Sequence, residues 1–331
     1  MLEGAALALL LAAFTLPAPA QSSLVEHYEL DTRRITQFHI GRDETRFGPF
    51  EFVGGMSLAG RGHFGALSAI RFLDAGTDFV GVADTGFWFF GEIERDEQLR
   101  PVGMTNFRMM PMVDAEGQPI EGKWESDAEG LDISGDTATV SYERDHKILE
   151  FALRVDAMGP ADATVDFLVP RAELRQNRGF ETIARAPAGS PLSGARIAVT
   201  ERSIDAQGNI YAAVLEGPHK GVFTVARSGE FDITDGAFLP DGDLLLLERS
   251  FSMASGVAMR IRRIQADSIR PGQLADGPVL LEADMSYQID NMEGLDVWRR
   301  KDGALIVSLV SDDNHSILQR NLYLEFVLVG E

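Results

Sequence analysis

Acidic residues recur in this chain at two kinds of position. One set stands at the start of short alternating runs: Glu129, Glu181, Asp235 and Glu293. The other stands where the next run ends: Asp84, Glu143, Glu201, Glu248, and Asp312 with Asp313. Carboxylates gathered in one place repel each other unless cations or hydrogen bonds compensate. A donor set made only of oxygens favours calcium or magnesium over zinc. Such an ion activates water and neutralises the charge that builds during ester hydrolysis. The expected ligands are Glu129, Glu143, Glu181, Glu248 and Glu293, with calcium the expected cation. Asp84, Arg144, Glu201, Arg249 and Asp312 are expected around the substrate, and no residue is singled out as catalytic. The alternative is that each acid is a solvated turn residue.

Three of the run ends read Glu-Arg: Glu143-Arg144, Glu201-Arg202 and Glu248-Arg249. Neighbours on a strand point to opposite faces. A Glu facing a central channel would therefore send its Arg toward the adjacent unit, to brace it by an ion pair. Arg144 or Arg249 could also meet an anion, because the guanidinium fork matches phosphate geometry.

The elements that must position these residues are short strands. From Trp124 to Glu150 an acidic approach leads into an alternating run from Gly130 to Ile133, a Ser134-Gly135-Asp136 turn and a second run from Thr137 to Tyr142. A charged corner and a third run from Lys147 follow. Period-two alternation cut by Gly and Asp marks an antiparallel meander. In a meander the start of the first strand and the end of the second share one side, which brings Glu129 near Glu143. The same grammar recurs in five units, about 50–60 residues apart, the spacing of propeller blades. Strands left over at both ends raise the expectation to an all-β, six-bladed β-propeller, with N-terminal strands completing a blade begun at the C-terminus. Trp88, Trp124 and Trp298 read as packing between strands.

Several chemistries are disfavoured. A net charge of −21 opposes nucleic acid and anionic membranes. The chain has no cysteine, hence no disulfide or thiolate chemistry. Its six histidines include no close pair and no HExxH, although His146 and His315 follow strand ends and could serve as acid or base. Gly60-Arg61-Gly62-His63-Phe64-Gly65 matches GxGxxG, but the run after it reads as a strand, where a dinucleotide site needs a helix. Neither a GxSxG elbow nor a GxxxxGK[ST] loop occurs.

Residues 1–20 read as a signal peptide: an apolar run of about a dozen residues, then Ala18-Pro19-Ala20 ahead of Gln21. The usual positive start is missing. Residues 21–331 are expected to form a single propeller domain, exported to the periplasm or secreted, with no membrane association once the signal is cleaved.

His63 to Ile70, Asp127-Ala128-Glu129-Gly130-Leu131, Gly179 to Ala184 and Asn291-Met292-Glu293-Gly294-Leu295 together resemble the phytase-like domain family. So do Leu246 to Phe251 and Val310 to Asn314. These are exported bacterial proteins described as having esterase-like activity of phytase. The resemblance runs from about residue 50 to residue 328. It implies a propeller and hydrolysis of a phosphoester. Glu181-Thr182 departs from the Glu-Gly pattern, and the Asp-Ala-Asp-Asp-Pro motif of alkaline propeller phytases is absent, which argues against phytate as the substrate. The leading expectation is a cation-assisted hydrolase of a small-molecule phosphoester or related ester. A non-catalytic ligand- or protein-binding propeller and a calcium-dependent lactonase or carboxylic esterase are the alternatives.

Overall fold

The computed structural model describes residues 24–330; the expected signal peptide lies outside them. The described residues form a β-propeller of five sheets. The innermost strands are Leu67–Phe72, Ala128–Ser134, Phe180–Arg185, Asp232–Phe238 and Asn291–Arg299, which define blades I to V. Each begins a consecutive antiparallel meander. The Ser134-Gly135-Asp136 turn joins two strands as expected, with Thr137 opposite Ser134.

The count is five rather than the expected six, and the leftover strands explain the difference. Phe50–Ala59 pairs with Asn321–Leu328, and Asp31–Ile35 pairs outside it, so both N-terminal strands become the outer strands of blade V. Glu26–Tyr28 caps blade I by pairing with Pro101–Pro111. The expected closure, N-terminal strands completing a C-terminal blade, is therefore present, but it uses up the strands assigned to a sixth. Pairing across the chain ends also removes free sheet edges. After blade IV's third strand the chain detours: Leu274–Ala275 adds in parallel to the rim of blade III before Val279–Ala283 returns to blade IV.

Five apolar clusters lie one at each blade interface, including the one between blades V and I. The ring is thus closed by packing all round. The second strands are buried on both faces, as Leu244 to Leu247 shows, and so read as continuous apolar runs. Trp88 is fully buried and meets Phe151 edge-on across blades I and II. Trp298 is buried too, its indole donating to Ser308 Oγ at 2.9 Å. Trp124 departs from the packing expectation: it sits in the short helix Lys123–Ser126 and is half exposed. After Gly60–Gly65 comes the strand Leu67–Phe72 and no helix, so the GxGxxG match lacks its dinucleotide context.

Deep in the channel the inner strands are tied to one another. Arg71 donates to both carboxylate oxygens of Asp235, each at 2.9 Å, and to the Leu295 carbonyl at 2.8 Å. Asp235 also accepts from the Leu295 amide. Asp296 accepts from the Phe72 amide at 2.8 Å. Blades I, IV and V are joined by these few bonds.

Candidate metal centre

The inner strands share a local irregularity that creates the site. In each, the register against the second strand slips once: at Ser68, at Glu129 with Gly130, at Glu181, at Thr234 and at Glu293. A β-bulge leaves a residue without a cross-strand partner and re-aims its side chain. Ser68, Glu129, Glu181 and Glu293 accordingly line one cavity of about 220 Å³ at the channel mouth. Thr234, the fourth-blade equivalent, donates instead to the Met292 carbonyl at 3.0 Å.

Gly130 is required here because a Cβ on it would fall 2.5 Å from the Glu181 carbonyl and 2.7 Å from the Ile183 amide. Gly294 is equally crowded, with the Ser68 carbonyl 2.9 Å away. The Glu-Gly pairs thus let neighbouring inner strands close up while their glutamates enter the channel.

The second strands contribute a matching ring. Asp84, Glu143 and Glu201 donate their amides to the carbonyls of Ala66, Asp127 and Gly179. Arg249 and Asp312 stand opposite Asp232 and Asn291 in the equivalent pairs. All five line the cavity, together with Asp127, Arg144 and Arg178.

Of the expected ligands, Glu129, Glu143, Glu181 and Glu293 are brought together. Glu248 is not. It pairs with Ile233, one residue before the strand-end position, so its side chain turns to the other face. There it is 1% exposed and held by Arg260 and Arg262. Arg249 takes the place that an acid holds in the other four blades. Asp235 is likewise one residue past the bulge and belongs to the deep Arg71 pair. The expected substrate-side residues Asp84, Arg144, Glu201, Arg249 and Asp312 all reach the mouth cavity; His146 and His315 do not line it. Lys123, Asp127, Asn177 and Arg178 were not assigned from sequence. Asp127 was accessible to such reasoning, two residues before Glu129; Lys123 and Arg178 lie outside the alternating runs and carry no such signal.

The arginines of the Glu-Arg pairs act in different ways. Arg202 reaches Asp232 at 3.2 Å and Glu230 at 2.7 Å, bracing blade III against blade IV as expected. Arg144 stays within the mouth, its Nε donating to Asp127 Oδ2 at 2.8 Å. Arg249 lies between Glu293 at 3.4 Å and Glu201 at 3.6 Å. Arg178 donates to Glu201 at 2.7 Å, and Lys123 pairs with Asp84. Arg249, Arg144, Arg178 and Lys123 therefore offset part of the acidic charge.

Among the described residues, no cation pairs with Glu129 or Glu181. Burial, and then the carboxylates of Asp127, Asp84, Glu143 and Glu293, hold the Glu129 carboxyl well above its usual range. Glu181 is raised in the same way, by burial and then by Glu129. Burial and Glu201 push Glu143 up to about 8. Burial pushes Glu293 up to about 8 despite Arg249 beside it, and burial with Asp84 lifts Asp312 to about 7.

Two groups of acids have the spacing of cation ligands: Asp84, Asp127 and Glu129, and Glu129, Glu143 and Glu181. In each group, one oxygen per residue lies within 4.8 Å of the others. Oxygens 2.3–2.6 Å from a shared calcium are at most about 5 Å apart, so the spacing fits. A second observation points the same way. Asp127 is 1% exposed, yet its Oδ1 has no hydrogen-bond partner; the Lys123 ammonium stands 3.6 Å away. A buried carboxylate oxygen without a partner is costly unless something else satisfies it.

Solved structures similar to the chain include the three that follow. An endo-arabinase from Bacteroides thetaiotaomicron matches at 11% identity with a TM-score of 0.45, over 78% of this chain and 93% of that one. A Thermus thermophilus protein provisionally assigned as an oxidoreductase (glucose dehydrogenase) matches at 11% identity and 0.40, over 83% and 99%. A Bacteroides uniformis protein provisionally assigned as a 6-phosphogluconolactonase matches at 13% and 0.36, over 89% and 81%. No match is found among curated proteins. The model of the phytase-like family, described as esterase-like activity of phytase, matches residues 62–315. That span runs from the loop ahead of blade I's inner strand to the loop after blade V's second strand, and so takes in every acid of the mouth: the chain belongs to the phytase-like family.

Proposed function

We propose that this protein is an exported hydrolase of a phosphoester or related ester, working with a divalent cation, calcium by preference, at the acidic mouth of the propeller. The observation that carries the reading is Glu129, an unpaired, partly buried carboxyl shared by two ligand-spaced groups and standing beside the buried, unsatisfied Asp127 oxygen.

Asp84, Asp127 and Glu129 would hold the ion, with Glu143 and Glu181 completing a second group around Glu129. When bound, the ion supplies Lewis acidity and a more acidic water. Arg144, Arg178 and Arg249 line the same cavity and suit the anionic oxygens of a substrate. Hydrolysis joins a water oxygen to phosphorus or to an acyl carbon and breaks the bond to the alcohol oxygen. One water proton ends on that alcohol. Glu293 and Asp312, which line the cavity but belong to neither ligand-spaced group, are carboxyls available to carry it.

The test is turnover of a generic phosphomonoester and a generic carboxylic ester by chelator-treated protein, with and without added calcium. Calcium-dependent cleavage of either supports the reading, and the ester cleaved gives its class. Cation binding with no cleavage of any ester would turn the mouth into a binding site for a ligand or partner.

A further inference from the structure

Beside the acidic mouth, between blades IV and V, lies a groove of a different character. It has a volume of about 490 Å³ and is walled by Phe251, Val257, Met285 and Leu318, within the size range of small-molecule sites. Phe251 is 61% exposed and Leu318 88%, with Met253, Met285 and Ile317 also open to solvent. Half of the large exposed apolar side chains among the described residues are these five. Isolated exposed apolar residues are ordinary, but a contiguous patch marks a binding surface.

The fold builds the groove deliberately. The second and third strands of blade IV pair continuously out to Ser252 and Gly256, so their hairpin projects past the mouth and carries Phe251 with it. Gly256, at φ +74°, is covered by Met285: a Cβ there would fall 2.9 Å from Met285 Cγ. Opposite, the loop between the second and third strands of blade V turns through Asn314 and His315, at φ 47° and 48°, and presents Leu318. The groove adjoins the mouth: Arg249 and Asn314 line both cavities.

We propose that the substrate is an amphiphilic ester, its anionic or carbonyl head at Arg249 in the mouth and an apolar chain or ring in the groove between Phe251 and Leu318. The proposal rests on the reading of the mouth as an ester site. A compact polyanion would leave the apolar walls open to water, whereas an alkyl chain covers them. Complete burial of each methylene is worth about fourfold in affinity.

The probes are methyl-, butyl- and octylphosphonate, kept below their aggregation concentration and titrated calorimetrically into the calcium-loaded protein. Affinity is expected to rise at least tenfold from butyl to octyl. The gain should collapse in a Phe251→Ser/Leu318→Ser variant and persist in Val155→Ser, an exposed apolar control on blade II. Methylphosphonate binding with no gain along the series would overturn the groove and leave the mouth standing. An undiminished gain in the double variant would place the chain elsewhere and also overturn it. Undiminished methylphosphonate affinity in cation-free Glu129→Gln protein, with the chain-length gain intact, would keep the groove while removing the mouth reading. No binding at any length overturns both. Co-sedimentation with phosphatidylcholine vesicles without a chain-length gain would overturn the proposal and make the patch a membrane face.

Discussion

Glu248 and Arg249, adjacent in sequence, serve opposite sides of one strand: Glu248 is buried against Arg260 and Arg262, and Arg249 enters the acidic mouth between Glu293 and Glu201. The Glu-Arg pairs of blades II and III are set one residue differently, so there the glutamate faces the mouth. One residue of register thus converts a ring of acids into a ring with a single built-in guanidinium.

Glu248→Gln is expected to damage stability rather than cation binding. It leaves the buried Arg260 without its carboxylate and Arg262 with Asp276 alone, a loss of about 3–5 kcal/mol for a broken buried pair. Denaturant unfolding should show that loss, while calcium binds the folded fraction with unchanged stoichiometry. Loss of calcium binding by well-folded Glu248→Gln protein would contradict this placement.

Glu129→Gln should behave in the opposite way. Removing one carboxyl from a crowd of acids relieves repulsion, so the cation-free variant is expected to gain about 0.5–2 kcal/mol while losing cation affinity. Thermal unfolding in chelator and in calcium separates the two effects: the variant melts above the wild type in chelator and no longer responds to calcium.

The mouth also fixes a pH dependence. Glu143 and Glu293 titrate near 8 in the folded protein against an ordinary 4.5. The folded state therefore holds protons that the unfolded state has already released between these values. Stability falls with rising pH wherever the folded state binds more protons. In chelator, stability is expected to decline from about pH 5 to pH 8 and to flatten above that. Calcium should restore most of the loss at pH 8, because the ion takes over the neutralising role of the protons. A chelator profile that rises with pH across this window would show that the carboxyls are not buried together.

Gly130→Ala tests the inner-strand contact. Its Cβ would meet backbone atoms of blade III that cannot swing away, and overpacking of this kind costs about 1–3 kcal/mol. The neighbouring Glu129 and Glu181 would be displaced with it, so calcium affinity should fall together with stability. Alanine at Gly135, where a Cβ meets nothing within 4 Å, should leave calcium affinity as it is; its positive φ of 57° still carries a small backbone cost.

The propeller and most of the mouth were legible in the sequence because strand ends are marked by local chemistry. Glu129 and Glu143 frame one meander, and the meander alone brings them to one side. The bulges were not legible. A bulge inserts a residue without changing composition, so Asp235 and Glu248 looked equivalent to Glu181 and Glu201 and proved to be one position out of phase. The blade count failed for a different reason: whether Phe50–Ala59 starts a blade or finishes one depends on a pairing with Asn321–Leu328, at the far end of the chain. Arg178 reaches Glu201 across a loop, and no periodic pattern announces such a contact.

The most direct test of the acidic mouth as a cation site is calorimetric titration of calcium into chelator-treated protein, alongside Glu129→Gln and Glu293→Gln. The account predicts saturable binding by the wild type, lost or weakened at least tenfold in Glu129→Gln, with a smaller loss in Glu293→Gln, whose carboxylate is shared with Arg249 and Asn291. Absence of calcium and magnesium binding by folded wild-type protein, or binding indifferent to Glu129→Gln, would contradict it.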